Sequence, residues 1–259
     1  MKNNYDELVS KNIYDYLLQL GDDRLILGHR VSEWCGHAPI LEEDIALANI
    51  SLDLIGQSSF IYKIACEIEA KNRTEDDLAF YRAPNNFKCI EIVELPKGDF
   101  AFTIVRQLFF SLFNDLTLNL LSNSHFIPLA EISLKAVKES AYHTRHSKEW
   151  IKRLGNGTEE SHRKIQIAVD ELWKYTFQMF EESQSEKLLI EKGIISDTKS
   201  IKSDWLKVIE IILTEANIKI PEVTENHLFT RTRNFHTEHL SHLLAEMQSV
   251  PRSYPNLKW

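Results

Sequence analysis

Apolar residues recur at helical spacing through most of this chain, in segments separated by turns that carry Gly or Pro. Leu8, Ile13, Tyr16, Leu17 and Leu20 mark a first amphipathic segment from Glu7 to Leu20. Gly21-Asp22 interrupts it before a second run through Arg24, Leu27, Val31 and Trp34, so this region reads as two helices or one broken helix. Gly36-His37-Ala38-Pro39 forms a turn, with the proline placed to start a helix and Glu42, Glu43 and Asp44 suited to its positive end. From Ile40 to about Lys71 the pattern is apolar on nearly every side, through Leu41, Ile45, Leu47, Ile50, Leu52, Leu54, Ile55 and Ile61. That predicts a helix at the centre of a bundle.

Residues Thr74 to Pro96 form a long connection around the short apolar patch Cys89-Ile90-Glu91-Ile92-Val93. Pro96-Lys97-Gly98-Asp99 then starts a third core helix, Phe100 to Ser122, and Pro128 begins a fourth that ends at Gly155-Asn156-Gly157. Thr158 with Glu159 and Glu160 starts a fifth long helix reaching about Glu182. Gly193 and Asp197 bracket a connection, Ser203 to Asn217 reads as another helix stopped by Pro221, and His236 to Ser249 forms a last short one. The expectation is an all-α, ferritin-like helical bundle with additional helices, built as a single domain over residues 1–259.

Composition narrows the function. With 8 Gly and 7 Pro among 259 residues and 43% hydrophobic content, the chain suits long helices rather than a turn-rich β fold. A formal charge of -8 and the lack of any basic run give no electrostatic reason to approach nucleic acid or an anionic membrane. Cys35, Cys66 and Cys89 lie far apart with no Cys-x-x-Cys pair, which fits reduced thiols in a cytoplasm. The N-terminus lacks the apolar core of a secretory signal, and no stretch is apolar enough to span a bilayer. Nucleophile elbows, phosphate loops and dinucleotide fingerprints are also missing. Trp34, Trp150, Trp173 and Trp205 read as core or interface anchors.

The candidate chemistry lies in a polar seam. Asn49, Asp53 and Gln57 are spaced four apart in the second long helix. Gln107, Ser111, Asn114 and Asp115 offer a similar line in the next, and Glu139 with His143 and His146 or Ser147 continues it. Buried unpaired, such groups cost roughly 1 to 3 kcal/mol each, so they must bind one another, water or a ligand. A carboxylate-bridged di-iron centre needs a Glu-x-x-His pair on each of two facing helices. Here Ser140 stands three before His143, and Asp53-Leu54-Ile55-Gly56 has Gly in the place of the histidine. The expectation is therefore a vestigial seam with no catalytic, cofactor-binding or metal-holding residue in this chain. Two alternatives remain open: a di-iron oxygenase using Asp53, Asp115, Glu139 and His143, and a binding module whose seam takes part of a CoA ester. Near the C-terminus, His236, His239 and His242 could share a metal, although a short amphipathic helix with Leu240, Leu243, Leu244 and Met247 inward accounts for the pattern better. His29, His37, His125, His162 and His227 show no partners in the sequence.

Several runs carry a resemblance. Leu20-Gly21-Asp22-Asp23, Ser32-Glu33-Trp34-Cys35-Gly36-His37-Ala38-Pro39, Ala46 to Ile50, Asp53 to Gln57, Lys138-Glu139 with Tyr142-His143, Arg153 to Thr158, and His236 to Leu240 with Leu244 to Gln248 closely resemble the C subunits of bacterial phenylacetyl-CoA epoxidases. The likeness covers almost the whole chain. It implies a ferritin-like partner in a multicomponent monooxygenase of aerobic phenylacetate catabolism. In that assembly a related A subunit would carry the di-iron centre and form the ring 1,2-epoxide with oxygen and electrons from a reductase. It also implies a role in stabilising that catalytic chain, with the apolar faces of the first two helical segments and the last helix as candidate contacts.

Overall fold

The computed structural model describes residues 5–222 and 232–255, and among them every regular element is helical. α1 (Glu7–Ser32) starts at Asp6, whose carboxylate accepts the Val9 amide at 2.8 Å. It runs unbroken through Gly21-Asp22, where the sequence suggested an interruption. The glycine serves packing instead: a Cβ there would lie 2.4 Å from the Tyr62 ring of the next helix.

α2 (Leu41–Glu69) returns antiparallel beside α1. Their close approach is fixed by small residues, since Ser51 Oγ donates to the Gly28 carbonyl and Ser58 Oγ to that of Gly21. The crossover that follows contains α3 (Glu75–Phe80), a 3-10 turn over Pro84–Asn86 and α4 (Glu91–Glu94). α5 (Phe100–Leu121) is capped by Asp99, and α6 (Ile127–Gly155) carries Pro128 in its first turn, where a missing N–H costs nothing. Side-chain pairs fix the directions: Arg24 meets Asn114 and Trp34 meets Thr103, so α1 and α5 are antiparallel, as are α2 and α6 through Gln57–Glu139 and Asp53–His143. The crossover must therefore travel the length of the bundle, as in ferritin-like folds.

α7 (Glu159–Leu172) is shorter than the sequence suggests, because the chain tightens into a 3-10 stretch over Trp173–Phe180. α8 (Gln184–Glu191) packs on α1, and α9 (Lys199–Glu215) on α5 and α6. α10 (Glu238–Met247) and α11 (Ser249–Ser253) close the described chain. Edge-on aromatic contacts dock these additions: Phe109 and Phe180 meet Trp205, whose indole N–H donates to the Phe109 carbonyl at 2.9 Å. Trp34 in the turn after α1, Phe100 of α5 and Trp150 of α6 form a second such group.

One expectation is corrected by burial. α2 is not enclosed: Leu41, Ile45, Leu52 and Phe60 are exposed along one side, while Leu47, Ile50, Leu54 and Ile61 face the core. An apolar residue on every side reads as full burial only if no partner lies outside this chain.

Candidate functional site

At the middle of the bundle the polar groups converge on Arg24, which the seam read from the sequence did not include. Its α1 neighbours Leu20, Leu27 and Val31 share its helical face and are buried, so the arginine is turned inward and only 2% exposed. Nε donates to Gln57 Oε1 at 3.2 Å, Nη1 to the Leu20 carbonyl at 2.6 Å and Nη2 to Asn114 Oδ1 at 2.5 Å. Gln57 passes the interaction on, its Nε2 donating to Glu139 Oε2 at 2.8 Å. Asn114 Nδ2 reaches Ser140 Oγ at 3.4 Å. One guanidinium thus ties four helices together through neutral acceptors. Burial pushes the Arg24 pKa down to about 10, against the pull of Asp23, which leaves it charged at neutral pH.

The remaining seam residues divide. His143 is buried and its Nε2 lies 3.0 Å from Asp53 Oδ2, while His146 Nε2 pairs with Glu43 at 2.7 Å and Ser147 Oγ donates back to the His143 carbonyl. Asn49 is exposed and takes no part, which corrects its placement in the line with Asp53 and Gln57. Asp115 is corrected too: it accepts from Asn119 one turn along α5, and its neighbour Asn114 points inward in its place. Burial raises the Asp115 pKa, with the Asn119 bond opposing. Gln107 is fully buried, yet neither of its amide atoms has a protein partner. Four-residue spacing identifies a shared face; it does not say which face is inside.

This donor set does not fit a di-iron centre. Hard metal ions need several carboxylates around one point, whereas that point here is held by a cation with amide and hydroxyl neighbours. Asp53 and Glu139 stand toward the surface side of it, where both line a pocket. Among the described residues, the group of three or more potential ligands within mutual reach is elsewhere: Cys89, Glu94 and His236.

That group belongs to a second buried network, also unread from the sequence. Asp22 binds the Tyr62 hydroxyl and pairs with Arg82 at 2.5 Å, and it accepts the Lys88 amide at 2.6 Å. Burial would lower the Arg82 pKa, but the charge of Asp22 prevails and raises it. Asp23 accepts the Ile90 amide and the Arg233 guanidinium, both at 2.9 Å. Glu94 takes His236 Nδ1 at 2.6 Å, the Cys89 thiol at 3.4 Å and both the amide and hydroxyl of Thr237. His236 Nε2 faces the Phe87 carbonyl at 3.0 Å, so both ring nitrogens meet acceptors and the imidazolium satisfies them best. Every Glu94 lone pair is used within the protein. These residues clamp the crossover and the segment before α10 onto α1.

His239 and His242 lie outside that group; α10 buries Leu240, Leu243 and Leu244, leaves Met247 half-buried and carries His242 on its exposed side. His37, His125 and His162 each meet a backbone carbonyl, of Cys35, Gly193 and Gly155 respectively. Burial lowers the His29 pKa. His227 lies outside the described residues.

The exposed side of α2 joins α6 across a pocket of about 250 Å³. Leu52 and Phe60 are 66% and 63% exposed at its edge, Ile132 forms the opposite wall, and Asp53 and Glu139 line it between them. Ile127 and Leu134 extend the apolar exposure along α6. By contrast α1 is buried over most of its length and the apolar side of α10 is spent inside the fold. The candidate contacts named from the sequence are thus already used.

The family model described as "Phenylacetic acid catabolic protein" matches residues 1–259. The chain is similar to the C subunit of the 1,2-phenylacetyl-CoA epoxidase of Escherichia coli (strain K12), with 41% identity over 244 residues, covering 94% of this chain and 98% of that one. No described helix is long and apolar enough to cross a membrane.

Proposed function

The chain belongs to the family of phenylacetic acid catabolic proteins, and from that membership we propose that it is the non-catalytic C-type subunit of a multicomponent phenylacetyl-CoA 1,2-epoxidase. It holds no iron itself and stabilises a related A subunit that carries the di-iron centre, in a cytoplasmic complex fed by a reductase. The observation that carries this reading is Arg24: a guanidinium bonded to Gln57 and Asn114 stands where inward groups of four helices meet, and a divalent metal pair there would face a fixed positive charge. The near-complete coverage of the Escherichia coli relative agrees with it.

The exposed apolar side of α2 and α6 is the docking face for the A subunit. Leu41, Ile45, Leu52 and Phe60, separated by four, seven and eight residues, fall on one stripe of α2, beside Ile127 and Leu134 of α6. The two bundles are related, so helix-on-helix packing through such stripes gives a pseudo-symmetric pair.

Metal analysis tests the assignment. The chain purified alone and loaded anaerobically with ferrous iron should retain well below one iron, whereas a co-purified A subunit should hold about two. Near two irons in this chain would make it an oxygenase in its own right. Full epoxidation by the A subunit and reductase alone would remove the stabilising role.

A further inference from the structure

We propose that the pocket between α2 and α6 is a socket for one cationic side chain, lysine or arginine, of the A subunit. The inference rests on the reading of this chain as that subunit's partner and specifies the chemistry of its anchor. The pocket opens above Gly56, where a Cβ would meet nothing within 4 Å, and has a volume of about 250 Å³. That is room for a single long side chain rather than a helix.

Its chemistry is divided between walls and floor. Leu52, Phe60 and Ile132 offer apolar surface to a methylene stem. Asp53 and Glu139 each accept one bond from inside the protein, from His143 Nε2 at 3.0 Å and Gln57 Nε2 at 2.8 Å. A carboxylate offers about four lone-pair positions, so acceptor capacity is left facing the pocket. Lys135 also lines it, on an exposed residue, and offsets one of the two negative charges. An apolar knob would strip water from both carboxylates and return nothing. A guanidinium or ammonium replaces that water with charge-assisted bonds, and an arginine enclosed by an apolar rim is a common energetic centre of protein interfaces.

The buried seam thereby acquires a purpose. Glu139 is held by Gln57, which is held by Arg24; Asp53 is held by His143, whose carbonyl accepts from Ser147. These inward polar groups fix two carboxylates at the surface.

The test is sedimentation of the co-purified complex of this chain with its A subunit over a dilution and salt series. Gly56→Leu fills the socket from a position with open space around it, and Asp53→Asn with Glu139→Gln keeps both inward hydrogen bonds while removing the charges. Each change should raise the dissociation constant at least tenfold, and the amide pair should also flatten its dependence on salt. Unchanged dissociation in either case overturns the proposal. Weakening by Gly56→Leu alone overturns it in favour of an apolar knob, and a change confined to self-association of the free chain overturns it in favour of a second copy. If the wild-type chain fails to co-purify with the A subunit, the underlying functional reading falls with it, a result already visible before any variant is made.

Discussion

Asp22, Asp23 and Arg24 are consecutive on α1 and all but fully buried, yet they serve two regions built on opposite terms. Asp22 and Asp23 turn toward the crossover, where arginines and backbone amides match their charges. Arg24 turns into the bundle and meets only neutral oxygens at bonding distance. A buried charge with a buried counter-charge makes the structure depend on both members. A buried charge solvated by amides can be removed with less consequence, and its neighbours can be exchanged without changing the fold. The first region is a clamp of paired charges; the second is a seam in which one cation is held by neutral acceptors.

The largest expected effect is in the clamp. Asp22→Ala leaves Arg82 buried without its counter-charge and strips partners from the Tyr62 hydroxyl and Lys88 amide. A loss of about 3 to 5 kcal/mol is expected, read from urea unfolding of the full chain. Arg24→Met is expected to cost no more than about 2 kcal/mol, because the orphaned Gln57 and Asn114 oxygens are offset by relief from burying a cation. Equal losses in the two variants would erase the distinction.

A pH series sharpens the same contrast. His236 has its pKa raised: burial alone would lower it, but the hydrogen bond and charge of Glu94 prevail, aided by the Phe87 carbonyl. With the folded-state value above the unfolded one, this contribution is complete below the ordinary histidine pKa of about 6.5 and is lost as pH rises through the folded value. Unfolding free energy should therefore fall as pH rises from about 6.5 through the raised folded-state value, and His236→Gln should remove that slope. His29, lowered by burial, acts in the opposite sense and at lower pH, so the difference between wild type and variant isolates His236. An unchanged slope in the variant would show that Glu94 does not hold a protonated ring.

The helices are legible in the sequence because their starting residues and apolar periods agree: Asp99, Pro128 and Thr158 all stand at the starts of the observed elements. The position of Ser140 one turn before His143, where a Glu-x-x-His pair would carry a carboxylate, is equally legible from helical spacing alone. Arg24 was not read as part of the seam, although Leu20, Leu27 and Val31 around it are a usable sign of an inward arginine. Asn49 and Asp115 were misplaced because spacing within a helix carries no information about its rotation against neighbours. The clamp was unreadable for a different reason. Asp22 to Arg82 and Glu94 to His236 are pairings across 60 and 142 positions, and only the path of the crossover brings them together.

The smallest effect separates the two regions at the level of one methyl group. Gly21, beside the clamp, has no room for a side chain, whereas Gly56, at the socket, faces open space in the middle of α2. A glycine inside a helix sacrifices roughly 0.5 to 1 kcal/mol relative to alanine through backbone entropy, so Gly56→Ala should stabilise the free chain by about that amount. The melting temperature should rise accordingly. In the complex the added methyl begins to fill the space assigned to the partner's side chain, so the dissociation constant should increase, by less than in Gly56→Leu. A rise in both thermal stability and complex affinity would mean that the open space above Gly56 is merely a gap between two helices.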